Sequence, residues 1–306
     1  MSTLGHVRTE LEAGAPNAVS RMLGLLGDEW NLLIVQQSLL GATRFGEYLA
    51  RLPISNAVLT TRLRGLTGEA LLEQREYQAN PPRTEYLLTP RGRALWPMML
   101  LIWDWERRWV PDHVDQLPAM RHDTCGALFT PLLTCGACTA PSTDTDVKVR
   151  WGPSGSWERS TPTTVTRRRG GATGPPGLYP ETMSVFGNRW SAAILIAAFL
   201  GASRFGDFQR QLGAPPASVS ARLRAFVANG VLSGSDDYLL TDKGRAFFGV
   251  LVTALEWGQH WYHAPEGPAV VLTHRACGER FSARVACDQC EKALSGDDVL
   301  VETVTT

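Results

Sequence analysis

Residues 41–66 read GATRFGEYLARLPISNAVLTTRLRGL. Within them, residues 44–52 predict a short helix with Phe45, Tyr48 and Leu52 on one face, closed by Pro53. Ser55 then offers a side-chain oxygen as N-cap to a second helix, in which Val58, Leu59, Leu63 and Leu66 recur at helical spacing. The opposite face carries Asn56, Ala57, Thr60, Thr61 and Arg64. Short polar groups beside one long cation suit the base edges of a duplex, so the pair reads as a helix-turn-helix. The same pattern describes a small amphipathic helix pair with a solvated face, and the surrounding chain decides between the two.

The stretch occurs twice. At an offset of 160 residues, GDEWNLLIVQQSLLGATRFGEY from Gly27 faces GNRWSAAILIAAFLGASRFGDF from Gly187. Arg62-Leu63-Arg64 meets Arg222-Leu223-Arg224. Beyond the second helix the offset falls to 152, so that Tyr86-Leu87-Leu88-Thr89 meets Tyr238-Leu239-Leu240-Thr241. Roughly half the chain is a duplicate of the other half, with eight residues lost from one connection in the second copy.

Ahead of the first helix-turn-helix, residues 1–16 are polar and expected to be frayed, and two apolar helices, residues 18–26 and 30–40, break at Gly27-Asp28. After it, residues 71–76 and 84–88 predict two strands joined by the loop YQANPPR. A hairpin in that place is a wing, whose Arg83 reaches a minor groove or whose Arg75 steadies a phosphate. The second wing shrinks to SGSDD, residues 233–237, which phosphate would repel. Thr89-Pro90 opens a helix expected to run to about Val110, crowded with Trp96, Trp103, Trp105 and Trp109.

The chain has 306 residues, room for two or more domains, and a formal net charge of zero. Neutrality argues against indiscriminate polyanion binding but leaves sequence-specific DNA binding through a local basic face. No run approaches the ~20 apolar residues of a membrane span, and MSTLGHVRTE lacks a signal peptide's apolar centre, which points to the cytoplasm. The six cysteines fall in two groups of three, an odd number that disulfides would not leave in each group.

Each group has a histidine before it. His122-x2-Cys125-x9-Cys135-x2-Cys138 recurs as His274-x2-Cys277-x9-Cys287-x2-Cys290. Such paired spacings set two knuckles that close a tetrahedron around Zn²⁺, with Gly126, Gly136 and Gly278 allowing tight turns. Two structural zinc sites are expected, one per copy, with metal sensing as the lesser alternative and solvated surface histidines as the bland reading of His122 and His274. Strands are expected at residues 146–149 and 298–301, after the cysteines. Residues 152–176 are rich in Pro, Gly, Ser and Thr around Arg167-Arg168-Arg169, as in a solvated tether; the arginines lying along a DNA backbone is the alternative.

The run from Val19 through Trp109 resembles the HxlR-type winged helix-turn-helix regulators of bacteria. GDEW, LLGATRFGEY, LTTRLRGL and NPPRTEYLLTPRGRAL carry the resemblance in copy one; GNRW, LGASRFGDF, VSARLRAF and YLLTDKGRAF carry it in copy two. It implies a transcription regulator that dimerises through its terminal helices. The cysteine segments resemble the zinc-ribbon hairpin found after some actinobacterial domains of this type. Many members carry a sensing cysteine before the first helix; here the positions hold Asn17 and Gly177, which argues against thiol sensing of that kind.

The expected fold is mainly α with small β: a flexible N-terminus (1–16), winged domain one (17–112), zinc ribbon one (113–151), linker (152–176), winged domain two (177–264) and zinc ribbon two (265–306). The expected function is a DNA-binding regulator, a repressor, acting as an intramolecular pseudo-dimer on an asymmetric or imperfectly palindromic operator. DNA contacts fall to Arg44, Ser55, Asn56, Thr60, Thr61, Arg64, Arg75 and Arg83 in copy one, and to Arg204, Ser220 and Arg224 in copy two. The alternative is a protein-interaction scaffold in which copy two has lost DNA. Trp96, Trp103, Trp257 and Trp261 are candidates for a small-molecule effector pocket, though a stripe of aromatics on a dimerising helix is more often simply an interface core. A homodimer of whole chains stays open. No constellation for catalysis stands near the cysteines, so an enzyme is not expected.

Overall fold

A computed structural model describes residues 8–113, 117–161, 180–187 and 189–302. Copy one begins with β1 (Thr9–Glu10), α1 (Ala18–Leu26) and α2 (Glu29–Leu39). Asn17 caps α1 by accepting from the Val19 and Ser20 N–H groups, and Asp28 caps α2 by accepting from Asn31. Asp28 also meets Arg62 at 2.8 Å; burial raises its pKa while that guanidinium works the other way. The helix-turn-helix follows as α3 (Phe45–Arg51) and α4 (Asn56–Gly68), with Ser55 accepting from Val58 N–H at the start of α4. Leu59, Leu63 and Leu66 of α4 are buried, as the spacing requires.

The wing is β2 (Leu72–Ala79) against β3 (Pro82–Leu88), longer than expected. The ladder continues past a bulge between Glu76 and Gln78 as far as the Ala79–Pro82 pair, so only Asn80-Pro81 remain at the tip. The long helix after it is in two pieces, α5 (Pro90–Arg93) and α6 (Trp96–Trp109), where one was expected. Pro97, the second residue of α6, has no N–H to return to the Arg93 carbonyl.

The cysteine segment of copy one supplies β4 (Ala119–His122), β5 (Pro131–Cys135) and β6 (Val147–Trp151), followed by α7 (Trp157–Ser160). Copy two repeats the order: α8 (Pro180–Val185), α9 (Arg189–Phe199), α10 (Phe205–Leu212), α11 (Pro216–Ala228), the stub wing β7 (Leu232–Ser233) and β8 (Leu239–Leu240), α12 (Asp242–Ala246), α13 (Phe248–Trp261) and β9 (Tyr262–His263). Its cysteine segment supplies β10 (Val270–His274), β11 (Ala283–Cys287) and β12 (Val299–Glu302).

The copies are not two beads on a string. α1 packs along α13, α8 along α6, and α6 along α13, so each copy's terminal helix is covered by the other copy's first helix. One continuous cluster of buried apolar side chains takes in both copies. The docking is mirrored in detail. Trp105 Nε1 donates to the Lys243 carbonyl and Trp257 Nε1 to the Arg91 carbonyl, each at 2.9 Å, and these residues correspond pairwise at the offset of 152. Arg91, 2 % exposed, also spreads over the Tyr262 ring at 4.3 Å.

Three expectations about boundaries change. The described part of the N-terminus is not frayed: β1 pairs in parallel with β9, Thr9 opposite Tyr262. Residues 152–161 are folded, not tether. Gly152 N–H donates to the Ala269 carbonyl, and Asn17 Nδ2 donates to Ser154 O and Ser160 Oγ. A Cβ at Gly152 or Gly155 would fall about 2 Å from the Pro268 or Ala269 carbonyl oxygen, so these glycines serve close approach. Arg167, Arg168 and Arg169 lie outside the described residues, as does Gly177. Finally, the two expected ribbons do not form as separate modules. β4 pairs with β12, β5 with β11 and β6 with β10, all antiparallel and all across the copies.

Two carboxyls, Asp104 buried and Glu256 half-buried, sit at corresponding positions on α6 and α13. Burial pushes Asp104 up to about 6, against the pull of Arg108, and Glu256 up to about 7, against its hydrogen bond from Ala283 N–H and the charges of Arg280 and Arg284. Between an ordinary value of 4.5 and about 7 the native state holds the Glu256 proton and the unfolded chain does not, so stability falls as pH rises through that window. Glu256→Gln cannot ionise and keeps an acceptor for Ala283. In chemical denaturation it is expected to exceed wild type by about 3 kcal/mol at pH 8, with the gap closing at pH 5. A gap that does not change with pH would remove this account.

Candidate DNA interface and metal centres

The outer face of α4 is presented as the sequence predicts. Ser55, Asn56, Thr60, Thr61 and Arg64 are all exposed, while Leu59 and Leu63 hold the helix down from behind. Thr60 and Thr61 return their hydroxyls to the carbonyls of Asn56 and Ala57 at 2.8 Å, which fixes their rotamers and turns their methyl groups and lone pairs outward. Arg64 makes no hydrogen bond or ion pair with any described residue. Its guanidinium is therefore available to a partner, as bidentate recognition of a base would require.

The wing cations are less free. Arg75 is held by Glu85 at 2.7 Å, and Arg44 lies over the Tyr77 ring at 4.6 Å, while Arg83 is exposed near the tip. In copy two, Arg224 donates to Ser220 Oγ at 3.0 Å on the exposed side of α11. Arg204 is paired with Asp237 of the shortened wing at 3.2 Å. The acidic tip thus occupies the arginine whose counterpart in copy one, Arg44, carries no such ion pair.

The metal centres are the largest correction. The ligand atoms do not group by copy. His122, Cys125, Cys287 and Cys290 form one cluster; Cys135, Cys138, His274 and Cys277 form the other, and in each the ligand atoms lie within 4.8 Å of one another. Each copy gives its His-Cys knuckle to one cluster and its Cys-Cys knuckle to the other. The strand pairing causes this: β4 carries His122 to β12, not to β5, and β5 carries Cys135 to β11. Four short turns close on themselves through bridges such as Arg121–Leu128 and Thr134–Pro141. Gly126 and Gly278, each just after the first cysteine of its knuckle, take φ of 71° and 75°, the left-handed turn expected of them.

Both histidines are 1 % exposed, which excludes the solvated surface role. His122 Nδ1 stands 3.4 Å from both Cys125 and Cys290 Sγ; His274 Nδ1 stands 3.3 Å from both Cys138 and Cys277 Sγ. Ser142 Oγ is 3.3 Å from His274 Nε2, which fixes the ring with Nδ1 toward the sulfurs. All six cysteines are free thiols. The Ala127 N–H lowers the pKa of Cys125, whereas burial and the facing sulfurs of Cys290 and Cys125 raise that of Cys287. Thiols so packed cannot all ionise without a cation among them, so both clusters could hold a metal ion.

The predicted effector residues do not converge. Trp257 and Trp261 line a cleft of about 730 Å³ with Glu256, His260, Arg280 and Arg284, but Trp96 and Trp103 are not among its walls. Trp103 donates Nε1 to the Pro118 carbonyl at 2.9 Å, and Trp96 lies against Gly296. These two serve packing. Asn17 is fully buried as a helix cap.

The HxlR-like helix-turn-helix family model matches residues 25–114 and again 185–266, more than half of the chain. The chain belongs to this family. It is a tandem member, and its relatives are named as transcription regulators, not enzymes. An uncharacterised HTH-type transcriptional regulator of Mycobacterium tuberculosis is 36% identical over 130 residues, 40% of this chain and 82% of that protein. YdeP of Bacillus subtilis, also an uncharacterised HTH-type transcriptional regulator, is 33% identical over 104 residues, 34% of this chain and 80% of its own length. Among solved structures, the redox regulator HypR in its oxidised form is 31% identical, covering 29% of this chain and 94% of that chain with a TM-score of 0.28. Among the described residues no helix is long and apolar enough to cross a membrane.

Proposed function

We propose that this tandem HxlR-like regulator binds one operator in double-stranded DNA with both copies of a single chain, as an intramolecular pseudo-dimer, and represses by occupying it. The observation that supports this reading is the mirrored docking of α1 on α13 and α8 on α6, the kind of exchange expected if the two copies of one chain stand in for the two subunits of a dimer. The two helices present different side chains. Asn56, Thr60, Thr61 and Arg64 face outward on α4; Pro216, Ala221 and Arg224 do so on α11, with Ser220 half-buried. The operator is accordingly asymmetric or imperfectly palindromic.

Zinc is the metal that fits the two clusters. Three thiolates and one imidazole are a structural zinc set, closed to substrate. With Zn–S about 2.3 Å and Zn–N about 2.0 Å, a tetrahedron has S···S edges of about 3.8 Å and S···N edges of about 3.5 Å. The chain shows 3.9 Å between Cys125 and Cys287 Sγ and 3.3–3.4 Å from each histidine to its sulfurs. Bound there, zinc would tie the cysteine segment of one copy to that of the other and so hold the pseudo-dimer closed.

The test is selection of bound sequences from random duplexes by the zinc-loaded chain. Wild type is expected to enrich an asymmetric motif, Arg64→Ala to relax one half of it and Arg224→Ala the other, each at a cost of about 1–3 kcal/mol at its own base pair. A perfect palindrome, or no motif at low salt, would sink the reading. One observation favours a second one: Asp237 neutralises Arg204. If only Arg64→Ala has an effect, copy two is a protein-docking half and copy one alone reads DNA.

A further inference from the structure

We propose that a cavity between the second winged unit and the shared helical core is a binding site for a small, uncharged aromatic molecule with a single hydrogen-bond donor. The cavity measures about 350 Å³ and is walled by α1, α9, α10, α13, β6, β10 and the folded segment around α7. That volume lies in the range of pockets that enclose small ligands. Met22, Trp157, Ala193, Leu251 and Leu272 represent the walls, which are mostly apolar. A concave, mostly apolar site with a few polar points suits a small apolar guest.

Polarity enters at few points. The Ser160 hydroxyl already accepts from Asn17, and that of Thr161 donates to the Trp157 carbonyl. Arg150, the one charged residue among the described walls, is exposed to solvent. Gln211, at the end of α10, is different: its Oε1 is buried and has no hydrogen-bond partner among the described residues. A buried acceptor left unpaired is costly, and a ligand N–H or O–H would satisfy it. The acceptor and the apolar walls together define the ligand class.

The residues that make the space belong to copy two. At the offset of 160, Ala193 stands where copy one has Leu33, and Gln211 where copy one has Arg51, which donates to the Leu40 carbonyl. The larger Leu33 would take up the room that Ala193 leaves, and Arg51 offers no acceptor. Gln211 immediately precedes Leu212 and the turn into α11. A ligand in the cavity therefore braces α9 and α10 against α1 and α13, and sets α11 relative to the core. That consequence for DNA rests on the operator reading above, whereas binding itself does not.

The probe is N-phenyl-1-naphthylamine, uncharged and aromatic with one N–H, titrated into the zinc-loaded full chain. A saturable rise in its fluorescence at one probe per chain is expected, with quenching of tryptophan emission from Trp151 and Trp157, which line the cavity. Ala193→Leu is expected to weaken binding at least tenfold, and Gln211→Leu about three- to tenfold. Circular dichroism melts of both variants check that they fold. Should Ala193→Leu prove unstable, Gln211→Leu and a cavity-filling Leu272→Phe carry the test. Unsaturable binding, or wild-type affinity in the folded variants, overturns the site. Saturable probe binding with loss in the variants, but without any DNA motif, would leave the site standing and sink the operator reading.

Discussion

Replacing Cys125 and Cys287 together with alanine is expected to leave one zinc ion per chain, whereas replacing Cys125 and Cys135 together leaves none. The first pair belongs to a single cluster and the second pair spans both. Had each copy closed its own site, as the linear spacing suggests, the outcomes would be reversed. Wild type should hold two ions through desalting against a chelating competitor, and each single variant one. Stability should follow the same logic. Once one ligand is lost its site is lost, so Cys125→Ala and Cys287→Ala should be far from additive, while Cys125→Ala and Cys135→Ala should add. Because metal binding at such sites is itself folding free energy, each site's loss should cost several kcal/mol and chelation should release both β segments. One ion retained by the Cys125/Cys135 double variant would refute the crossed arrangement.

Trp105→Ala and Trp257→Ala should each cost about 3–5 kcal/mol, read as a fall in denaturant midpoint. Trp105 is 1 % exposed, meets Phe247 edge-on at 5.0 Å and gives its N–H to Lys243; Trp257 is 5 % exposed, meets Tyr262 at 6.0 Å and gives its N–H to Arg91. Both rings reach from one copy's terminal helix into the other copy's α5 or α12 region, so their loss weakens the docking of copy on copy. Trp→Phe at either site keeps most of the apolar area but strands a carbonyl, for about 1–3 kcal/mol. Alanine variants within 1 kcal/mol of wild type would show that these anchors do not hold the copies together.

The tryptophans show where sequence reading stops. Their helical spacing marks α6 and α13 as interface helices, and that is what they are. Spacing gives no distance between Trp96, Trp103, Trp257 and Trp261, and the four do not share a cavity. The cavity with the unpaired Gln211 acceptor draws its walls from seven elements scattered between residues 19 and 272, a set no local pattern collects. Residues 152–161 misled for a related reason. Their Gly, Pro and Ser content matches a tether, yet the glycines are there because the Pro268 and Ala269 carbonyls pass too close for a side chain.

By itself the sequence determined the duplication, the helix-turn-helix with its exposed Asn56–Arg64 face, the unequal wings and the eight candidate ligand residues. All of these are encoded locally: caps, apolar periodicity and knuckle spacings act within a few residues of one another. Only the tertiary structure decided which knuckle faces which. The motif His-x2-Cys-x9-Cys-x2-Cys is satisfied equally by closing on itself or by exchange with an identical motif 152 residues away. The choice is made by strand pairing of β4 with β12 and β5 with β11, which accompanies the docking of α6 on α13. Long-range pairing of this kind leaves no trace in spacing, because two copies of one motif offer the same hydrogen-bonding edges to themselves and to each other.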